Sequence, residues 1–268
     1  MKIVVFDLDE TLGYFSEFSM FWDSLCHYAK TNGSPNLTQK DFNNTLDLFP
    51  EFLRPNIINI LKYLKQKKES NVCHKVMIYT NNNGPKEWSQ SIVNYFETKI
   101  DAKIIDQIIA AFKVNGKQIE LFRTTYKKTY TDLIKCTKLP LNTEICFLDD
   151  IFHPDMVNEN IYYINVKPYY YDLVFEEMLK RFLNTKLGKE YAINNNFEKI
   201  MLDHWKLYKY NYAEKEKDEK EYELDKIVGK QIITHLQIFF NDKPKRSKTM
   251  KKKHNAKNNT YKNKKMYN

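Results

Sequence analysis

The chain has 268 residues, with 43 lysines and arginines against 34 acidic residues and a formal net charge of +9. With 42% hydrophobic and 15% aromatic residues, it can bury a core of ordinary size in one or two domains. The longest apolar runs are too short for a membrane-spanning helix, and the apolar stretch of residues 3–6 is too short for the core of a secretory signal, so we expect neither.

The cysteines argue for a reducing environment. They are scattered along the chain and form no CxxC pair, which makes a zinc site or a disulfide framework an unfavourable interpretation. We therefore expect an intracellular protein of the cytoplasm or nucleus, without a membrane partner. The four are Cys26, Cys73, Cys136 and Cys146.

The positive charge is concentrated at the C-terminal end. Residues 243–268 contain 11 lysines and arginines and no acidic residue, so the remaining residues are close to neutral. This tail is rich in asparagine and lacks a hydrophobic pattern, which predicts disorder. Two interpretations stay open: an arm or nuclear address that binds nucleic acid or an acidic partner, and a tail that only improves solubility.

Short apolar runs alternate with helical patterns along the first two thirds of the chain. Such alternation predicts an α/β domain with a mostly parallel sheet. In chain order we predict a strand at 2–8, a helical excursion at 14–50, a helix at 52–68, a strand at 74–80, a helix at 86–98, a hairpin or strand pair at 108–123 around Asn115-Gly116, a helix at 129–137, and strands at 144–148 and 161–166.

The same pattern divides the chain into three parts. We predict an α/β domain over 1–185, a helical extension over 186–242 and the disordered tail over 243–268. Within the extension, residues 213–226 mix charges of both signs as a solvated helix does, whereas 227–240 recover an apolar face that should pack on the domain.

Polar residues lie at the carboxyl ends of three of the predicted strands. They are Asp7, Asp9 and Thr11 at the end of the first strand, Thr80 and Asn81–Gly84 at the end of the second, and Asp149-Asp150 at the end of the third, with Lys127-Lys128 just before a helix. In open α/β sheets, ligands bind beyond the carboxyl ends of the strands, so these groups should converge in one crevice.

Converging carboxylates repel one another and need a cation, and hard oxygen ligands select Mg²⁺. Asp7 and Asp9 lie two apart at a strand end and so can face one site. One carboxylate can attack phosphorus while the other protonates the leaving oxygen and then activates water. Thr80 can hold phosphoryl oxygens, and Lys128 can stabilise negative charge.

These residues resemble the motifs of a known family. FDLDETLG, IYTNNNG, Lys128 and CFLDD resemble, in order, the four motifs of the haloacid dehalogenase (HAD) superfamily. Within it, DLDETL, Arg54-Pro55 and a strand at Leu121-Phe122-Arg123 resemble the FCP/SCP group of protein serine/threonine phosphatases, which act on the C-terminal domain of RNA polymerase II and on related phosphoproteins. The resemblance covers roughly residues 1–170.

The resemblance implies a Rossmannoid three-layer fold in which 14–50 lies where such enzymes insert a cap. It also implies a role for each motif residue. Asp7 would be the nucleophile that becomes an aspartyl phosphate, and Asp9 the general acid and base. Thr80 and Asn81 would bind the phosphoryl group, and Lys128, or less favourably Lys127, would be the site lysine. Asp7, Asp149 and Asp150 would hold Mg²⁺ together with the backbone carbonyl of Asp9, and Thr11 would support the motif.

The sequence favours a Mg²⁺-dependent phosphatase acting on a phosphoprotein at serine or threonine. Two departures from the FCP/SCP pattern, the Asn-rich loop after Thr80 and a longer spacing between Lys128 and Asp149, leave the substrate open. One alternative is a nucleic-acid end or nucleotide phosphatase. A second is a catalytically idle HAD fold that serves as a binding module tethered by the basic tail.

Overall fold

The computed structural model describes residues 1–208 and 217–241. Five parallel strands form the central sheet in the order β3-β2-β1-β6-β7, and a separate two-stranded antiparallel hairpin pairs β4 with β5. The strands are β1 (Lys2–Phe6), β2 (Lys75–Tyr79), β3 (Ile105–Ile109), β4 (Lys113–Val114), β5 (Lys117–Gln118), β6 (Glu144–Asp149) and β7 (Ile161–Asn165). This is a Rossmann-like α/β arrangement, and the predicted parallel sheet is confirmed.

Helices cover both faces of the sheet, in three layers. They are α1 (Ser16–Thr31), α2 (Gln39–Leu46), α3 (Ile57–Glu69), α4 (Lys86–Ile100), α5 (Tyr130–Thr137), α6 (Phe175–Leu183), α7 (Lys186–Ala192), α8 (Phe197–Lys206) and α9 (Glu219–Phe239). Because side chains alternate along a strand, β1 sends Ile3 and Val5 into a small core with α5 and Val4 and Phe6 into a much larger core on the other face.

The predicted excursion at 14–50 is helical, as expected, and it belongs to the larger core. Helix α1 contacts α6 and α8, and α2 contacts α4. Phe18 and Phe21 are fully buried, and their rings pack on Phe49. The aromatic residues that crowd this stretch therefore attach it firmly to the domain.

The C-terminal helices also pack on the domain. Ile232 and Leu236 of α9 are buried, which confirms the apolar face predicted for 227–240. Tyr162 on β7 hydrogen-bonds His235 at 2.9 Å, and the Tyr170 hydroxyl donates to Glu221 at 2.9 Å. The tail, 243–268, and part of the charged stretch, 213–216, lie outside the described residues.

Two predictions for the middle of the chain were wrong in detail. The expected hairpin spans only two residues on each side of Asn115-Gly116, and Leu121-Phe122-Arg123 forms a turn rather than a strand. The missed element is β3, which mixes Asp106 and Gln107 with isoleucines because it lies at the sheet edge and is only partly buried. Asp106 accepts a hydrogen bond from the Val76 amide at 2.8 Å, which ties the edge to β2.

The helix predicted from residue 52 begins later, at Ile57. Pro55 disfavours helical backbone at the residue before it, and Asn56 adopts a left-handed conformation with φ of 72°. The preceding segment instead carries the buried Arg54 towards the sheet. Within the described ranges, none of the helices combines the length and apolar character that crossing a bilayer requires.

Candidate active site

The loop that follows β1 places Asp7 at the carboxyl edge of the sheet. The Asp7 amide donates to the Leu148 carbonyl at 2.8 Å, which continues the pairing of β1 with β6. The chain then turns sharply, with Glu10 at a φ of 56°. Gly13 passes so close to the neighbouring segment that a Cβ there would lie 2.5 Å from the Phe52 carbonyl oxygen. The local backbone therefore requires glycine at position 13.

The buried side chain of Arg54 holds this loop in place. It is 1% exposed, and its guanidinium donates to the carbonyl oxygens of Thr11 and Glu10 and, at 2.8 Å, to that of Lys167. A rigid fork of donors satisfies buried carbonyls that would otherwise lose their hydrogen bonds to water. The resemblance pointed to Arg54, and the structure gives it a positioning role.

Lys128 connects two of the predicted site carboxylates. Its ammonium group forms ion pairs with Asp7 and, at 2.6 Å, with Asp149, and all three residues are buried. The lysine directly precedes the Thr129 hydroxyl that caps α5 by accepting from the Asp132 amide at 3.0 Å. Lys127 is exposed, so of the two candidate lysines only Lys128 reaches the carboxylates.

Three carboxylates come together in a group that could hold a metal ion. One oxygen from each of Asp7, Asp149 and Asp150 lies within 4.8 Å of the others. The Thr11 hydroxyl donates to Asp150 at 3.1 Å, in line with its expected supporting role. Hard oxygen donors of this kind fit Mg²⁺. Asp9, which is expected to bind the metal through its backbone carbonyl, contributes no carboxylate to this group.

Asp9 instead contacts the loop after β2. Its Oδ2 accepts a hydrogen bond from the Asn82 side-chain amide at 2.8 Å. Asn82 also forms a turn, because its Oδ1 accepts from the Gly84 amide at 2.8 Å, and that bond orients the amide group towards Asp9.

Thr80 and Asn81, the predicted phosphate ligands, lie at the end of β2 beside Arg123. Thr80 is buried, and its hydroxyl accepts from the Asn82 amide at 2.9 Å. Arg123 is 1% exposed and donates to the Thr80 carbonyl at 3.0 Å and to Asn81 Oδ1 at 2.7 Å. It also donates to the Lys127 carbonyl at 3.2 Å. This one guanidinium therefore joins the β2 loop to the segment that carries Lys128.

Burial dominates the protonation equilibria of the site. It raises the pKa of Asp7 to about 7, helped by the charges of Asp149 and Asp9 and opposed by Lys128. Burial also raises the pKa of Asp9, against the Asn82 hydrogen bond, and so favours a protonated carboxyl there. For Asp149, burial is more than offset by hydrogen bonds from His153 and Lys128, and its pKa is lowered.

His153 is a residue near the site that the sequence motifs did not identify. Its Nε2 lies 3.4 Å from Asp149 Oδ2. Its backbone amide also donates to the Tyr163 hydroxyl at 2.9 Å. The signal in the sequence was its position four residues after Asp149, which brings it back over the end of β6.

Comparison of the chain with protein-family models, with curated proteins and with solved structures finds no match in any of the three.

Proposed function

We propose that this chain is a Mg²⁺-dependent phosphatase of the HAD type that hydrolyses a phosphomonoester, with a phosphoprotein as substrate. The observation that carries the proposal is the ion-pair bridge of Lys128 between Asp7 and Asp149 beside a group of three carboxylates. Such a buried cluster of charges is costly to fold and is typical of a functional site.

The proposed reaction has two steps. In the first, a carboxylate oxygen of Asp7 attacks phosphorus, the bond from phosphorus to the leaving oxygen breaks, and Asp9 gives its proton to that oxygen. In the second, Asp9 takes a proton from water, the water oxygen attacks phosphorus, and the bond to Asp7 breaks. The products are the alcohol and inorganic phosphate, and both carboxyl groups return to their starting states.

The other residues position and stabilise these groups. Lys128 holds Asp7 and places a positive charge where negative charge develops. Asn82 orients the Asp9 carboxyl through the hydrogen bond to Oδ2. Asp7, Asp149 and Asp150 would hold the divalent cation. When bound, that cation neutralises charge on the phosphate so that a carboxylate can approach it.

The test is hydrolysis of para-nitrophenyl phosphate with and without Mg²⁺, comparing the wild type with Asp7→Asn. We expect metal-dependent turnover that is lost in Asp7→Asn, while circular dichroism shows an unchanged fold. Equal rates for the two proteins would contradict the proposal. Absence of turnover in both, with Mg²⁺ present and on phosphopeptides as well, would favour the idle binding module instead.

A further inference from the structure

A cavity of about 520 Å³ lies next to the candidate active site, between α1 and the segment that begins α4. We call it the aromatic cavity and define it by Trp22, Asp23, Asn82, Glu87, Trp88 and Tyr208. Asn82 lines the cavity and also donates to Asp9 at 2.8 Å. The cavity can therefore hold a part of the substrate that lies next to its reacting phosphate group.

The walls of the aromatic cavity are held in place by the core. On α1, Ser19, Trp22, Asp23 and Cys26 follow helical spacing and present one face to the cavity. The Trp22 and Trp88 rings both pack against Phe42, at centroid distances of 5.1 and 5.6 Å. Because Phe42 is buried, the two indoles are preorganised rather than free to collapse into the space.

In the described part of the chain, the charged side chains that line the aromatic cavity are both acidic. Asp23 and Glu87 are exposed and carry carboxylates at its rim, and among the described side chains that line it none is basic. The Tyr208 hydroxyl donates to Asp23 and so fixes the carboxylate. Indole faces and carboxylates together attract a cation, most strongly a guanidinium, which stacks on a ring and pairs with a carboxylate at once.

We propose that the aromatic cavity binds the side chain of an arginine or lysine that lies close to the phosphorylated residue of a protein substrate. This inference rests on the proposed phosphatase function and adds a substrate class to it. The phosphate backbone of a nucleic acid would meet the carboxylates of Asp23 and Glu87 and be repelled, which is why the observations favour a basic peptide.

The kinetic test uses a set of phosphoserine peptides. Each peptide carries one arginine, at one of the three positions before or after the phosphoserine, and each has a matched peptide in which neutral citrulline replaces that arginine. For the best position we expect kcat/KM about five- to tenfold higher for arginine, which corresponds to the usual range for a cation on an aromatic face with a nearby carboxylate. The double variant Asp23→Asn/Glu87→Gln should reduce this ratio to about one.

The matched control removes two acidic side chains near the amino-terminal ends of the strands, on the side of the sheet opposite to the site. Asp101 and Glu69 are exposed and end α4 and α3 there, so Asp101→Asn/Glu69→Gln should keep the wild-type preference. All variants should hydrolyse para-nitrophenyl phosphate at the wild-type rate, because that substrate has no side chain for the cavity. An arginine preference of equal size in the wild type and the Asp23/Glu87 variant would overturn the proposal.

A binding measurement separates this inference from the proposed chemistry. Trp205 is buried against Phe175 and is not among the residues that line the cavity, so a Trp205→Phe protein reports on Trp22 and Trp88 alone. In an Asp7→Asn background, which holds the phosphopeptide uncleaved, the arginine peptide should quench tryptophan fluorescence at several-fold lower concentration than the citrulline peptide. If the wild type hydrolyses no phosphate ester but this difference is present, the function fails and the cavity assignment stands.

Two results would overturn the cavity assignment itself. One is equal quenching by the arginine and citrulline peptides at every position. The other is stronger quenching by a 5′-phosphorylated oligonucleotide than by any arginine peptide, which would identify a nucleobase as the occupant of the aromatic cavity.

Discussion

Arg123 donates a hydrogen bond from Nη1 to the carbonyl oxygen of Thr80 at 3.0 Å. The same guanidinium also donates hydrogen bonds to the carbonyl oxygen of Ala110, to Asn81 Oδ1 and to the carbonyl oxygen of Lys127, just before Lys128. One side chain therefore sets the distance between the loop that carries the predicted phosphate ligands and the lysine that pairs with Asp7.

We predict that Arg123→Lys lowers both stability and turnover. A lysine cannot reproduce the several N–H donors of the guanidinium. Each buried carbonyl left without a donor lowers the free energy of unfolding by about 1–3 kcal/mol. Chemical denaturation and hydrolysis of para-nitrophenyl phosphate measure the two effects. Arg181→Lys is the control, because Arg181 pairs with Glu51 and Glu177 on the partly exposed surface. There the substitution should lower the free energy of unfolding by less than about 1 kcal/mol. Equal effects of the two substitutions would refute the positioning role of Arg123.

Asn82 should matter most for substrates that need a proton donor. Asn82→Ala removes the hydrogen bond to Asp9 and leaves its carboxyl free to rotate. Asp9 protonates the leaving oxygen in the first step only, and para-nitrophenolate leaves without protonation. In rapid-quench measurements of that first step we therefore expect little change for para-nitrophenyl phosphate, while an alkyl phosphate should lose roughly tenfold or more in rate, within the usual range for general acid catalysis. The exposed neighbour Asn83 provides the matched control, Asn83→Ala. An equal loss in the first step on both substrates would show that Asn82 does not act through Asp9 as the proton donor.

Mg²⁺ should stabilise the folded protein, since the unfolded chain does not hold three carboxylates together. At a metal concentration about 100 times the dissociation constant, the gain in free energy of unfolding is about 2.7 kcal/mol. Differential scanning calorimetry with and without MgCl₂ measures it. Asp150→Asn should remove most of the shift, whereas Asp155→Asn, an exposed acid in the same loop, should retain it. A shift that survives in Asp150→Asn would place the metal elsewhere.

The cysteines should react slowly in the native protein. Burial raises the pKa of Cys26 to about 11 and those of Cys73 and Cys136 to about 12, and that of Cys146 is also raised. At pH 8 the thiolate fraction of Cys26 is then about two orders of magnitude below that of a free thiol.

We predict that a maleimide labels partly exposed Cys26 first and the three buried thiols only after denaturation, as peptide mass spectrometry would show. Labelling should accelerate as the pH is raised towards 10, because the thiolate fraction rises. Rapid native labelling of Cys73, Cys136 or Cys146 at pH 8 would contradict the packing described above.

The sequence predicted the central strands and the edge strand β7 well, and the other edge strand, β3, poorly. The apolar runs of β1, β2 and β6 are buried on both faces, so their patterns admit one interpretation. Strand β3 has solvent on one side and polar residues in its middle, so its pattern is weak. Asp7, Lys128 and Asp149 could be selected because each lies at the end of a predicted strand or just before a predicted helix.

The contacts that tie the site together were harder to predict. Arg54 and Arg123 act through backbone carbonyls, and main-chain geometry is not encoded in residue spacing. The role of Asn82 depends on a turn that points its amide at Asp9, and three consecutive asparagines gave no reason to choose the second.

The most direct test of the central claim is to look for a phosphoryl group on Asp7. The variant Asp9→Asn keeps the nucleophile but lacks the base that activates water, so the covalent intermediate should accumulate. After an acid quench with para-nitrophenyl phosphate and Mg²⁺, we expect intact-mass analysis to show the mass of one phosphoryl group, and peptide mapping to place it on Asp7. Release of para-nitrophenolate without any phosphorylated enzyme, or a phosphoryl group on another residue, would contradict the account.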